Sequence, residues 1–173
     1  HFDMGDFDYI ELSAIIGTFD KDVLDQLKGI PIIIHCDNND VNFADKNAYE
    51  MNMKAIKEAI RFADYLDAEF IIIHPGHNGT YEEINRILGE VNDPRICVEN
   101  MPGKSYDLKH ECLGRTKEEL LKINVDNYCL DFAHAVKAAR TLGLGPYELV
   151  EQLSGLNPKV IHVSDGYINS EVD

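Results

Sequence analysis

Short apolar runs that stop at a polar residue recur along this chain. Ile32-Ile33-Ile34 stops at His35, Ile71-Ile72-Ile73 at His74, and Ile96-Cys97-Val98 at Glu99. Tyr128-Cys129-Leu130 stops at Asp131 and Val160-Ile161 at His162, with Tyr9-Ile10-Glu11 a weaker sixth case. Runs of this length, rich in Ile and Val and lacking alternation, predict parallel strands buried on both faces. They place strands near 8–13, 30–36, 70–74, 95–100, 128–132 and 160–164. Between them lie segments that suit helices, near 20–28, 45–67, 80–91, 116–123, 134–142 and 146–154. The longest predicts an apolar stripe of Ala48, Met51, Ala55, Ala59, Ala63 and Leu66 at three- and four-residue steps. Pro75-Gly76, Pro102-Gly103 and Asp165-Gly166 punctuate the strand ends as loops.

Unbroken alternation of strand and helix predicts a parallel sheet with right-handed crossovers. An open nucleotide-binding sheet would carry a Gly-rich phosphate loop after its first strand, and the sequence has none. Polar residues after every strand fit a closed barrel better, because such barrels build their active sites at the C-terminal strand ends. The expectation is therefore an α/β protein, a (β/α)8 TIM barrel forming one domain over 1–173. Six strands are readable where a complete barrel has eight. The first and last strands are expected to lie outside this chain.

Thirty-one acidic residues against 16 Lys and Arg give a net charge of −15, and no basic stripe is visible. That balance argues against broad binding to a phosphate backbone, although a metal-filled cleft is locally positive even on an acidic protein. The apolar stretches are too short to span a bilayer, and no leader peptide is readable. Cys36, Cys97, Cys112 and Cys129 form no C-x-x-C pair. Three fall within predicted strands, where a free thiol behaves as a small hydrophobe. A reducing, cytoplasmic setting is the expectation. Cys36 adjoins His35, but adjacent strand residues face opposite sides, so the imidazole is the better placed ligand.

His35, His74, Glu99, the D-x-x-H pair Asp131 and His134, and His162 form a set suited to zinc, manganese or a similar divalent ion. Imidazole and carboxylate suit these metals, and a carboxylate can bridge two of them. The competing reading is that these groups are caps and buried hydrogen-bonding residues at strand ends. Glu11 reads as a structural carboxylate more readily than as a base. His77, Lys104, His110 and Arg115 lie in loops on the same face, where they could hold a substrate phosphate or stand as solvated surface.

These pieces resemble the xylose isomerase-like barrels, which include endonuclease IV and the sugar phosphate isomerase/epimerase proteins. The resemblance is carried by Ile34-His35, Ile73-His74-Pro75-Gly76, Val98-Glu99-Asn100, Cys129-Leu130-Asp131-Phe132-Ala133-His134 and Ile161-His162-Val163-Ser164-Asp165-Gly166. Leu113-Gly114-Arg115-Thr116-Lys117-Glu118-Glu119-Leu120 is similar to the segment before the D-x-x-H strand in these proteins. It spans nearly the whole chain in the right order.

The endonuclease IV pattern implies that His35, His74 and Glu99 hold a first metal, and that Glu99 bridges to a second held with Asp131 and His162. His134 and Asp173 would belong to a third. The isomerase and epimerase branch implies a single metal on Glu99, Asp131, His162 and a further glutamate beyond this chain, with His134 beside the substrate. Zinc or manganese, one to three ions per chain, is the implied cofactor. On this resemblance the expected activity is a metal-dependent isomerase or epimerase acting on a small sugar or sugar phosphate, with Glu99 and His134 as the catalytic pair and Glu11, His77, Lys104 and Arg115 near the substrate. The metal would polarise a carbonyl and hydroxyl while a carboxylate moves a proton. A zinc-dependent phosphodiesterase of the endonuclease IV type is the alternative, with nucleic acid as partner in that case alone. A barrel that binds metal or sugar without turnover is a further one. Ile168 stands where some epimerases carry arginine, and Asn100-Met101-Pro102-Gly103-Lys104 lacks the small turn typical of endonuclease IV.

Overall fold

The computed structural model describes residues 8–164. Six strands, β1 (Ile10–Ala14), β2 (Ile32–Cys36), β3 (Phe70–Ile73), β4 (Ile96–Glu99), β5 (Asn127–Asp131) and β6 (Val160–His162), form one parallel sheet in sequence order. The helices between them are α1 (Lys21–Leu24), α2 (Tyr49–Leu66), α3 (Tyr81–Val91), α4 (Lys117–Leu120), α5 (Phe132–Leu142) and α6 (Pro146–Ser154). The result is a partial barrel, with its helices on the outside.

Local chemistry sets the helix ends. Thr80 and Thr116 accept from the backbone N–H of Glu83 and Glu119, and Asp131 accepts from that of His134; each satisfies a donor the first turn leaves open. Asp67, Asn92 and Gly143 close α2, α3 and α5 in the left-handed region. Two helices are shorter than the sequence predicts. The 20–28 segment passes from α1 into a 3-10 turn at Asp25–Leu27, and α4 keeps only one turn of the expected 116–123.

The buried stripe of α2 also differs from the expected one. It runs through Asn52, Ala55, Ile56, Ala59, Phe62, Ala63 and Leu66, while Met51 faces solvent. The reason is polar. Asn52 donates to the Asn42 carbonyl and accepts from the Asn42 N–H, at 2.7 and 2.9 Å. Asn42 in turn donates to the His77 carbonyl and accepts from its N–H. This chain of amides ties α2 to the loops after β2 and β3.

Two apolar layers flank the strands. The larger lies between sheet and helices and contains Ile34, Ile71, Ile73, Val98 and Leu130 with the helix faces. The smaller fills the barrel interior with Ile33, Ile72, Cys97, Cys129 and Val160. Burial on both faces holds for the central strands β2 to β5. It fails at the edges, because β1 and β6 are each covered by a single neighbouring strand; Glu11 and Ser13 are exposed, as are Ile161 and Val163. All four cysteines are buried and free.

Candidate metal centre

Glu99 ends β4 and is 1% exposed. Four other elements bring imidazoles to its carboxylate. His35 Nε2 lies 3.6 Å and His74 Nε2 3.3 Å from Oε2, His162 Nδ1 lies 3.3 Å from the same oxygen, and His134 Nδ1 lies 3.0 Å from Oε1. Asp131 Oδ2 stands 3.8 Å from His162 Nδ1. The curl of the sheet brings these strand tips together, as the polar terminations in the sequence predict.

Partners behind the rings orient three of them. His35 Nδ1 donates to the Cys36 carbonyl at 2.8 Å, which turns Nε2 inward. Glu11 on β1 reaches across the barrel to His162 Nε2 at 2.8 Å, leaving Nδ1 toward the centre. Such outer partners fix the tautomer of a metal-binding histidine. Asn100 performs the same service on the other side. Its side chain accepts from the Asp131 N–H at 2.7 Å and donates to the Asp131 carbonyl at 3.0 Å, while its own carbonyl faces His134 Nδ1 at 2.8 Å.

The electrostatics follow from the crowding. Burial would raise the carboxyl of Glu99, but the four imidazoles outweigh it and hold the group well below the usual carboxylate range. Burial would lower His35, yet Glu99 raises it on balance. His162 is raised strongly, its burial overcome by Cys129, Glu11 and Glu99. The raised His35 and His162 thus favour positive charge beside a buried anion. A divalent cation would supply the same balance.

The donors fit such an ion on two counts. Glu99 Oε2 is buried and lacks a hydrogen-bond partner among the described residues, which is costly unless something else meets it. Among the described residues, three sets of donor atoms each lie within 4.8 Å of one another: His35, His74 and Glu99; Glu99, Cys129 and His162; Glu99, Asp131 and His134. Glu99 belongs to all three. Imidazole and carboxylate donors suit zinc, manganese and related ions.

A cleft of about 430 Å³ opens beside the centre, with His74 and His134 on its inner wall. Asp37, Asn38, Asn39, His77, Lys104, Ser105 and Tyr106 also line it, together with the apolar Val41, Phe43, Met101 and Pro102. His110 stacks on His77 with centroids 5.4 Å apart. Arg115 is not brought to the cleft; Glu119 and Glu111 hold its guanidinium at 2.8 and 3.0 Å on a different face. Asp173 lies outside the described residues, as do Asp165, Gly166 and Ile168. Cys36 packs in the outer apolar layer and faces away from the centre.

Sequence patterns do not single out Asp37 or the clamp made by Asn100. Asp37 accepts from the Ile16 N–H at 3.0 Å and from the backbone and side chain of Asn39, both at 2.9 Å. It thereby joins the loops after β1 and β2. An Asp after a strand has too many ordinary uses for its partners to be read from order alone.

No helix among the described residues is long and apolar enough to cross a membrane. In sequence the chain is similar to the uncharacterized protein MJ1311 of Methanocaldococcus jannaschii, at 28% identity over 78% of this chain and 50% of that protein. It is also similar to endonuclease 4 of Thermus thermophilus, at 27% identity over 84% of this chain and 57% of the relative. The chain thus spans about half the length of these relatives. In fold it is similar to a D-tagatose 3-epimerase-like protein, with TM-score 0.70 and 24% identity over 96% of this chain and 70% of that one. The crystal structure of a Thermus thermophilus endonuclease IV is similar too, with TM-score 0.66 and 21% identity, covering 92% and 66%. The family model described as a xylose isomerase-like TIM barrel matches residues 4–172, and the chain belongs to that family.

Proposed function

We propose that this chain carries the metal centre of an isomerase or epimerase acting on a small sugar or sugar phosphate. The observation that carries this reading is the cleft beside Glu99. Its volume of about 430 Å³ lies in the usual small-molecule range of about 300–1,000 Å³. Its lining mixes apolar Val41, Phe43 and Met101 with polar Asp37, Asn38, Asn39, Lys104 and Ser105, which would meet the hydroxyls of a sugar, and the acidic sequence offers no basic stripe for a nucleic-acid backbone.

Glu99, Asp131 and His162 would hold the ion, with His35 and His74 contributing to a second position. When bound, the ion supplies Lewis-acid polarisation of substrate oxygens. The remaining work falls to the protein. Glu11, Asn100 and the Cys36 carbonyl hold the ligands in orientation. Glu99 is hemmed in by four rings and shut off from the cleft, so it acts as a ligand and not as the group that moves a proton. His134 lines the cleft and touches Glu99, which makes its ring the residue placed to carry a proton to or from substrate. Lys104, Ser105 and His77 also line the cleft, where they would contact the substrate.

One observation favours a second reading. His35 and His74 converge with Glu99 on a position separate from Asp131, and clustered metals bridged by one carboxylate suit in-line phosphodiester hydrolysis. The T. thermophilus relative named endonuclease 4 agrees with it.

The test is hydrogen exchange. Metal-loaded protein is incubated in heavy water with a panel of ketoses and ketose phosphates and followed by NMR. Deuterium entering at the carbon beside the carbonyl is expected. No exchange with any member, together with cleavage of duplex DNA containing an abasic site, would overturn the isomerase reading for the hydrolase.

A further inference from the structure

We propose that Cys129 is a metal ligand. Its thiol adds a donor to the position held by Glu99 and His162 and biases that position toward thiophilic ions such as zinc, cobalt or cadmium. The proposal rests on the metal reading above and adds to it the choice of metal.

Four observations place the sulfur there. Cys129 is the register partner of Glu99 on the neighbouring strand, so both side chains stand at one level of the barrel. It precedes Asp131 by two residues on β5, which puts both on the inner face. Its Sγ, a Glu99 carboxylate oxygen and a His162 nitrogen all lie within 4.8 Å of one another. Glu99 Oε2, buried and without a hydrogen-bond partner among the described residues, belongs to this same carboxylate.

The other cysteines do not share the arrangement. Cys36 faces the outer layer, Cys112 lies in the loop after β4, and Cys97 stands in the inner layer but joins none of the donor sets found among the described residues. A buried thiol is otherwise a small hydrophobe, and Val160 beside it would suit that role. The convergence of a buried carboxylate and an imidazole on the sulfur is what separates the two cases. As the sulfur–metal bond forms, the thiol proton leaves to solvent and a sulfur lone pair is donated to the ion; nothing is oxidised or reduced. Sulfur ligands favour zinc and softer ions over magnesium or manganese, whereas imidazole and carboxylate discriminate less.

Cobalt gives a direct readout. The protein is stripped with a chelator and titrated with Co(II), bound cobalt is counted by elemental mass spectrometry, and the near-ultraviolet is scanned for thiolate-to-cobalt charge transfer. Wild type should bind cobalt and show the band, Cys97→Ser should keep it, and Cys129→Ser should lose it. Cobalt bound without a band, or a band that survives in Cys129→Ser, would overturn the thiol assignment and leave the metal reading standing. Failure of wild type to bind cobalt at all would overturn both. Cadmium NMR on wild type needs no variant. A resonance shifted far downfield marks a sulfur ligand, and one in the oxygen–nitrogen range refutes it.

Discussion

Replacing Asn100 with Ala should destabilise the protein far more than replacing Asn85 with Ala, although the two amides make the same pair of hydrogen bonds. Asn100 accepts from one backbone N–H and donates to one backbone carbonyl, at 2.7 and 3.0 Å, with all partners buried. Asn85 accepts from the Asn124 N–H and donates to the Lys122 carbonyl, both at 2.8 Å, with solvent at hand. Removing Asn100 leaves the Asp131 N–H buried and unpaired, at a cost of about 1–3 kcal/mol. Loss of the second bond adds about 1 kcal/mol. The Asp131 carbonyl retains its place at the start of α5, so it is only partly orphaned. The sum is about 2–4 kcal/mol. At Asn85 water replaces the lost partners, and Ala is the better helix former by about 0.5 kcal/mol, so the net change should stay below about 1 kcal/mol.

Urea unfolding followed by circular dichroism measures both variants. In a domain of this size the Asn100 variant should melt about 5–15 °C lower. Equal losses in the two variants would refute the argument, because burial is the main difference it invokes and helix propensity at Asn85 only widens the gap. A change in the urea slope for Asn100→Ala would instead point to the unfolded state.

Further expectations concern the centre and its scaffold. Glu99→Gln should remove bound metal more completely than His77→Ala, read by elemental mass spectrometry; equal retention would show the strand-tip cluster to be misassigned. Glu11→Gln should weaken metal affinity by about 10–100-fold through the loosened His162 ring, and an unchanged titration curve would make the Glu11 contact incidental. Gly103→Ala should cost about 1–3 kcal/mol, because an added Cβ would sit 2.4 Å from Thr141 Cβ; adding Thr141→Gly should recover part of the loss in thermal melts. Arg95 holds the Asp93 carboxyl below its usual range. A depressed native value stabilises above the unfolded value of about 3.9 and is lost as pH falls through the native one. Asp93→Asn should therefore flatten the acid limb of stability against pH, as seen in urea midpoints at neutral and acidic pH; parallel limbs would count against it.

The convergence of these side chains was legible in the sequence because the strands are short and carry their donors at their ends. An Ile-Ile-Ile-His run states both the element and the direction its last side chain will take. The helices were less legible. Met51 fits a helical stripe as well as Asn52 does, and only the loop amide it meets in space gives Asn52 the buried place. Arg115 sits in the right stretch for a substrate contact, yet two glutamates one turn away capture it. The Glu11–His162 pair was beyond reach, since nothing in chain order says that the first and last described strands face each other. The thiol of Cys129 fits the ordinary pattern of an apolar strand residue until its register with Glu99 is known.

The Glu11–His162 contact joins residues 151 positions apart, and that distance has a kinetic meaning. Closing so long a loop carries an entropic cost greater than that of local contacts, and contacts of this span slow folding. On a ribosome His35 and His74 emerge long before His162, so the full donor set exists only after the sheet has curled from end to end. Binding of an ion to these donors would then report on the joining of the two edge strands, and it would slow unfolding chiefly by holding that contact shut.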